Sequence, residues 1–67
     1  MITILVNGDS HTVSENDTLL VLLNTLHLPT HGVAVAVNRA IISASLYDQH
    51  LLQDGDQIEI IRAVGGG

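Results

Sequence analysis

The residues of this chain with types and spacing suited to chemistry lie at its end. Three of its six glycines are consecutive, Gly65-Gly66-Gly67, and they follow Val64 without a polar spacer. Three extended residues span on the order of 10 Å. Lacking Cβ atoms, they accept whatever backbone angles a narrow channel imposes. What such a segment delivers is the α-carboxylate of Gly67, ionised at neutral pH because its reference pKa is about 3.5. A carboxylate is a poor electrophile. Before a nucleophile can displace anything from it, it needs activation, for instance as an acyl-adenylate. The sequence holds no phosphate-cradling Gly-rich loop and no lysine, so the activation falls to a partner enzyme.

The other side chains offer no competing site. A chain of 67 residues forms one domain and hides roughly 60% of its surface, enough for a single small core. Apolar residues make up 46% and charged residues 13%, which excludes disorder for the body of the domain. There is no cysteine, and with it go a disulfide framework, a thiolate metal site and a cysteine nucleophile. His27 and His31 are four apart, but Pro29 between them breaks the helix that would align them as ligands. They read, with His11 and His50, as surface histidines, and no metal is expected. The acidic residues fall mostly in turns, and no two form an acid/base dyad. Two basic residues against seven acidic ones, net −5, disfavour nucleic acid and favour a partner with a basic docking face. Met1-Ile2-Thr3-Ile4 has no basic leader and no apolar run is long enough to span a bilayer, so a cytoplasmic location is expected. The chain reads as a co-substrate, acted upon rather than acting.

The elements that position this end follow from periodicity. Ile2, Ile4 and Val6 alternate with Thr3, Leu5 and Asn7, the pattern of a half-buried strand. Asn7-Gly8 is a hairpin signal, because both residues tolerate positive φ, and Ser10 to Ser14 is the return strand. Capping types in Ser14-Glu15-Asn16-Asp17-Thr18 precede a helix from about Thr18 to Leu26. Leu19, Leu22, Leu23 and Leu26 fill one face of it about 100° wide. Pro29 and Gly32 end helical structure. Val33 to Val37 is a third strand, Asn38-Arg39 a tight turn, and Ile41-Ile42 a short fourth strand. Ser43 to Gln53 is an irregular crossing with one turn near Tyr47. Asp54-Gly55-Asp56 is a turn, and a last strand runs from Gln57 to about Val64, beside the first. The order is β-β-α-β-β-β.

Parity along these strands sets a second expectation. With Ile58 and Ile60 on the helix side, Ile61 and Ala63 face outward, and so do Leu5, Ala34 and Ala36. Strands one, three and five lie side by side, which gives a smooth apolar patch suited to docking the activating enzyme. Arg62 shares parity with Ile60 but sits past the core edge, at the base of the glycine segment, where it is either a contact for a partner's acidic group or nucleotide phosphate, or a solvated charge.

The strand order, Gly32-Val33-Ala34-Val35-Ala36-Val37-Asn38, Leu52-Gln53-Asp54-Gly55-Asp56-Gln57-Ile58-Glu59-Ile60 and the final Val64-Gly65-Gly66-Gly67 together resemble the ThiS-type sulfur carriers of thiamine biosynthesis. The resemblance covers nearly the whole chain. It implies an α+β, ubiquitin-like β-grasp fold, a mixed sheet packed on one helix, with residues 1–64 as the domain and 65–67 as a flexible tail. It also implies that an E1-like adenylyltransferase of the ThiF type activates the Gly67 carboxylate with ATP, a nucleotide this chain itself does not bind. A persulfide from a cysteine desulfurase then yields a thiocarboxylate, whose sulfur passes to a ThiG-type thiazole synthase. By position, Gly66 and Gly67 carry that role and Gly65 is an extra member of the tail. Where the family often has Val-Pro-Arg followed by Trp, this chain has Ile42-Ser43-Ala44 and then Tyr47, so the Pro and Arg are missing. A molybdopterin-type carrier, a protein-tagging modifier and a non-covalent β-grasp interaction module remain as alternatives.

Overall fold

The computed structural model describes residues 1–62. The first strand, β1 (Ile2–Val6), turns at Asn7-Gly8 into β2 (Asp9–Val13), with Val6 opposite Asp9. Asn7 has φ 50° and Gly8 φ 89°, the pair of positive values that a two-residue turn needs to match strand twist. A second hairpin of the same kind joins β3 (Val33–Val37) to β4 (Ala40–Ile42), with Asn38 at φ 51° and Arg39 at φ 72°. The last strand, β5 (Gln57–Arg62), lies parallel to β1 on one side and antiparallel to β3 on the other. The sheet order is β2-β1-β5-β3-β4, so the strand that comes last in the chain is the middle one.

One helix, α1 (Leu19–Thr25), covers the inner face. The helix is shorter by a residue at each end than periodicity suggests, because Thr18 and Leu26 are its caps. The Thr18 hydroxyl accepts from the Val21 N–H at 3.3 Å. At the other end His27 takes φ 57°, its N–H donates to the Asn24 carbonyl, and the Leu28 N–H reaches back to Leu23 at 2.9 Å. That is a Schellman stop, a place usually given to glycine, and it accounts for His27 without a ligand role. Leu19, Leu22 and Leu23 are buried against Ile4, Val6, Val35, Val37, Ile58 and Ile60, while Leu26 packs at the margin.

The irregular crossing holds one 3₁₀ turn, Ala44–Leu46, and then Tyr47, which is buried in the core. It also caps the helix from outside. The Leu19 and Leu20 N–H groups, left without intrahelical acceptors, donate to the carbonyls of His50 and Tyr47 at 3.0 Å each. The Asp54-Gly55-Asp56 turn docks on the start of β1: the Gly55 N–H donates to the Thr3 carbonyl at 2.8 Å and the Asp54 carboxylate accepts from the Thr3 N–H at 2.9 Å. This is the β-grasp arrangement, five strands wrapped on one helix. The expected continuation of the last strand to Val64 lies outside the described residues. Among the described residues no helix is long and apolar enough to cross a membrane.

Candidate functional site

The site is built on β5, the strand that leads to the glycines. Residues alternate along it. Ile58 and Ile60 point side chains to the core, while Gln57, Glu59 and Ile61 point outward. Both of its edges are occupied. On one side β3 pairs with it from Val37↔Ile58 to Val33↔Arg62. On the other, β1 pairs only at Leu5↔Gln57 and Val6↔Ile58, and there the backbone of β1 turns away.

Two asparagines in the hairpin turns take up the pairing where backbone runs out. The Asn7 Oδ1 accepts from the Ile60 N–H at 2.9 Å and its Nδ2 donates to the Ile60 carbonyl at 3.2 Å. At the other end of β5 the Asn38 Oδ1 accepts from the Gln57 N–H at 3.0 Å, while the Asn38 N–H donates to the Gln57 carbonyl at 2.8 Å. A side-chain amide carries one acceptor and two donors, so it serves as a ladder rung where the chain itself has left. Neither role was legible in the sequence beyond a turn signal at each Asn.

The outer face carries the expected docking residues, with corrections. Ile61 is 60% exposed and Leu5 37%, and Ala34, opposite Ile61, is exposed. Ala36 also points outward but is only 8% exposed and so contributes little surface. Its single methyl lies between two longer neighbours, Glu59 on β5 and Ile41 on β4. Ile41 itself is 71% exposed on the same face. It was missed, although parity carried one strand further, across the β3–β4 turn, would have found it. Nor is the patch continuous. Gln57 and Glu59 run up its middle and separate Leu5 from the group Ala34, Ile41 and Ile61. Beside the Asn7-Gly8 turn they line a shallow recess with Leu5.

Arg62 is exposed, opposite Val33 at the end of β5, consistent with a strand that has passed the core edge. Ala63 and Gly65, Gly66 and Gly67 lie outside the described residues. Among the described residues no group of three or more His, Cys, Asp or Glu side chains is placed to hold a metal ion.

Comparison with known proteins agrees over nearly the whole length. The ThiS family model matches residues 4–67. The sulfur carrier protein ThiS of Escherichia coli is 34% identical over 64 residues, which cover 96% of this chain and 97% of that protein. A thiazole synthase of Magnetococcus marinus is 39% identical over 61 residues, 91% of this chain but only 19% of the synthase. The chain thus spans about a fifth of that relative. The crystal structure of the thiamine biosynthesis protein ThiS from Geobacter metallireducens superimposes with a TM-score of 0.83 at 29% identity, covering 98% of this chain and 100% of the other.

Proposed function

The chain belongs to the ThiS family, the sulfur carriers of thiamine biosynthesis, and from that premise we propose that its working group is the carboxylate of Gly67. The observation that carries the reading is the family match, which runs through residue 67 and so includes the glycine segment. Residues 1–64 act as a handle and residues 65–67 as the part that enters a partner's active site.

The chemistry follows from the group. A carboxylate oxygen of Gly67 attacks the α-phosphorus of ATP held by an E1-like adenylyltransferase, and pyrophosphate leaves. The acyl carbon is now joined to a good leaving group. The terminal sulfur of a persulfide, supplied by a cysteine desulfurase, attacks it and expels AMP. A thiol then attacks the donor cysteine's Sγ in the resulting acyl disulfide, forming a mixed disulfide with that cysteine and leaving the transferred sulfur as the thiocarboxylate on Gly67. Every reactive group except the carboxylate belongs to a partner, so the chain is a co-substrate and not an enzyme. That thiazole synthases contain a segment similar to almost all of this chain supports such a synthase as the acceptor.

Docking falls to the outer face of the sheet. Leu5, Ala34, Ile41 and Ile61 supply apolar contact, with Ala36 filling the floor between neighbours, and Arg62 stands where the face meets the tail. The net charge of −5 favours a partner whose rim is basic. Intact-mass spectrometry tests the whole proposal. Incubated with ATP, an E1-like enzyme and a persulfide source, the chain should gain the difference between one sulfur and one oxygen. Deletion of Gly66 and Gly67 should abolish the gain and leave the fold unchanged. A full-length chain that gains no mass under these conditions refutes the reading.

A further inference from the structure

We infer that Asn7 is a positioning residue for the glycine segment, acting through Ile60. The inference rests on the carrier reading above and adds a part of the machinery that the sequence presents only as a turn.

The parallel ladder between β1 and β5 pairs only Leu5 with Gln57 and Val6 with Ile58. The Leu5 N–H donates to the Asp56 carbonyl and the Asn7 N–H to the Ile58 carbonyl, both at 2.9 Å. The next polar groups of β5 that face this side belong to Ile60, since facing groups recur every second residue. Asn7 has already entered the turn, and no backbone is left to meet them. Its amide side chain meets both: Oδ1 receives the Ile60 N–H and Nδ2 donates to the Ile60 carbonyl. The turn itself requires only a positive φ at this position, which glycine supplies equally well. The amide therefore does something the turn does not demand.

What it does is fix a strand end. Beyond Val6↔Ile58, β5 would be held along the β3 edge alone and free to swing about that edge. Clamped by Asn7, its end is held on both sides as far as Ile60. Six residues then lie between Ile60 and Gly67, and the seven steps have a maximal reach on the order of 25 Å. Any wandering of the base shifts the point from which the whole segment departs, and with it the space its carboxylate samples. A misplacement of about 1 Å at a reacting group can cost on the order of a hundredfold in rate. The clamp sets the place from which the glycine segment departs, while the outer sheet face sets how tightly the partner holds the chain.

The test separates these two. Asn7→Gly keeps the turn and deletes the clamp, and Asn7→Asp keeps an acceptor for the Ile60 N–H but loses the donor to its carbonyl. Amide exchange followed by NMR should show the Ile60 N–H exchanging about tenfold faster in Asn7→Gly, with the Glu59 and Ile61 amides on the β3 edge much less affected. In ATP-dependent pyrophosphate release by the E1-like enzyme, Asn7→Gly should lower kcat about tenfold with KM for the carrier within about twofold. Asn7→Asp should recover part of the loss. Val13→Ala, at the core margin, should lower the melting temperature and leave both constants unchanged. Ile60 exchange equal to wild type, or a kcat loss no larger than that of Val13→Ala, overturns the inference. Absence of pyrophosphate release with the wild-type chain overturns instead the carrier reading, and the Ile60 exchange result then decides on the clamp alone.

Discussion

Asn38 and Asp56 close the end of β5 that lies away from the glycines. The Asn38 Nδ2 donates to Asp56 Oδ1 at 3.0 Å, and the second carboxylate oxygen of Asp56 accepts from the Gln53 N–H at 2.9 Å. Asp56 is 6% exposed, and both groups facing it are donors. The position therefore asks for two acceptors, which a carboxylate has and an amide does not.

Asp56→Asn should accordingly cost about 1–2 kcal/mol, although it is the conservative change, and Asp56→Ala about 2–3 kcal/mol, since it strands both donors. Urea unfolding measures both. A double-mutant cycle with Asn38→Ala should show coupling of at least about 0.5 kcal/mol, because the two side chains share one network. Strict additivity would contradict this account.

Arg39 occupies the second position of the β3–β4 turn at φ 72°, where an L side chain is strained. Arg39→Gly should raise stability by about 0.5 kcal/mol, the relief of strain being offset in part by the looser unfolded chain. Arg39→Val should lower it by more than about 1 kcal/mol, since a branched Cβ tolerates the left-handed region least. For a domain of this size about 1 kcal/mol moves the melting temperature by roughly 4–8 °C, which calorimetry resolves easily.

Charge placed on the outer face should weaken docking without touching the core. Ile61→Asp, Ile41→Asp and Leu5→Asp should each reduce affinity for the activating enzyme about tenfold or more in titration calorimetry, at nearly unchanged melting temperature. Ile41 provides the sharper check, as it is the most exposed of the three and lies furthest from β5. Wild-type affinity in all three would remove this face from the docking proposal.

Leu23 is fully buried between helix and sheet, and Leu23→Ala should cost about 2–5 kcal/mol. A domain this small holds roughly 5 kcal/mol in all, so the variant should be largely unfolded at 37 °C by circular dichroism.

Local signals in the sequence were read faithfully by the fold, and distant ones were not. Asn7-Gly8 placed a hairpin, the leucine spacing placed the helix face, and the Val-Ala alternation gave β3 its observed bounds. These depend on residues a few positions apart. The clamp of Asn7 on Ile60 joins residues 53 apart, and the Asn38–Asp56 bond joins residues 18 apart; such pairs exist only once the sheet order is known. Parity gave the direction of Ala36 correctly. It could not give its burial, which depends on the side chains of two neighbouring strands.

The middle place of β5 in the sheet also governs when this protein can fold. Leu5 pairs with Gln57, so the central contact spans nearly the entire chain, and the β1–β2 and β3–β4 hairpins stay unjoined until β5 arrives between them. During translation the two hairpins can form in turn, but the core stays open until the ribosome has released residues 57–62. Such high contact order slows folding, and it leaves the hairpins without a shared core until the last strand is made. A chain interrupted before β5 emerges therefore holds two separate hairpins and no closed core.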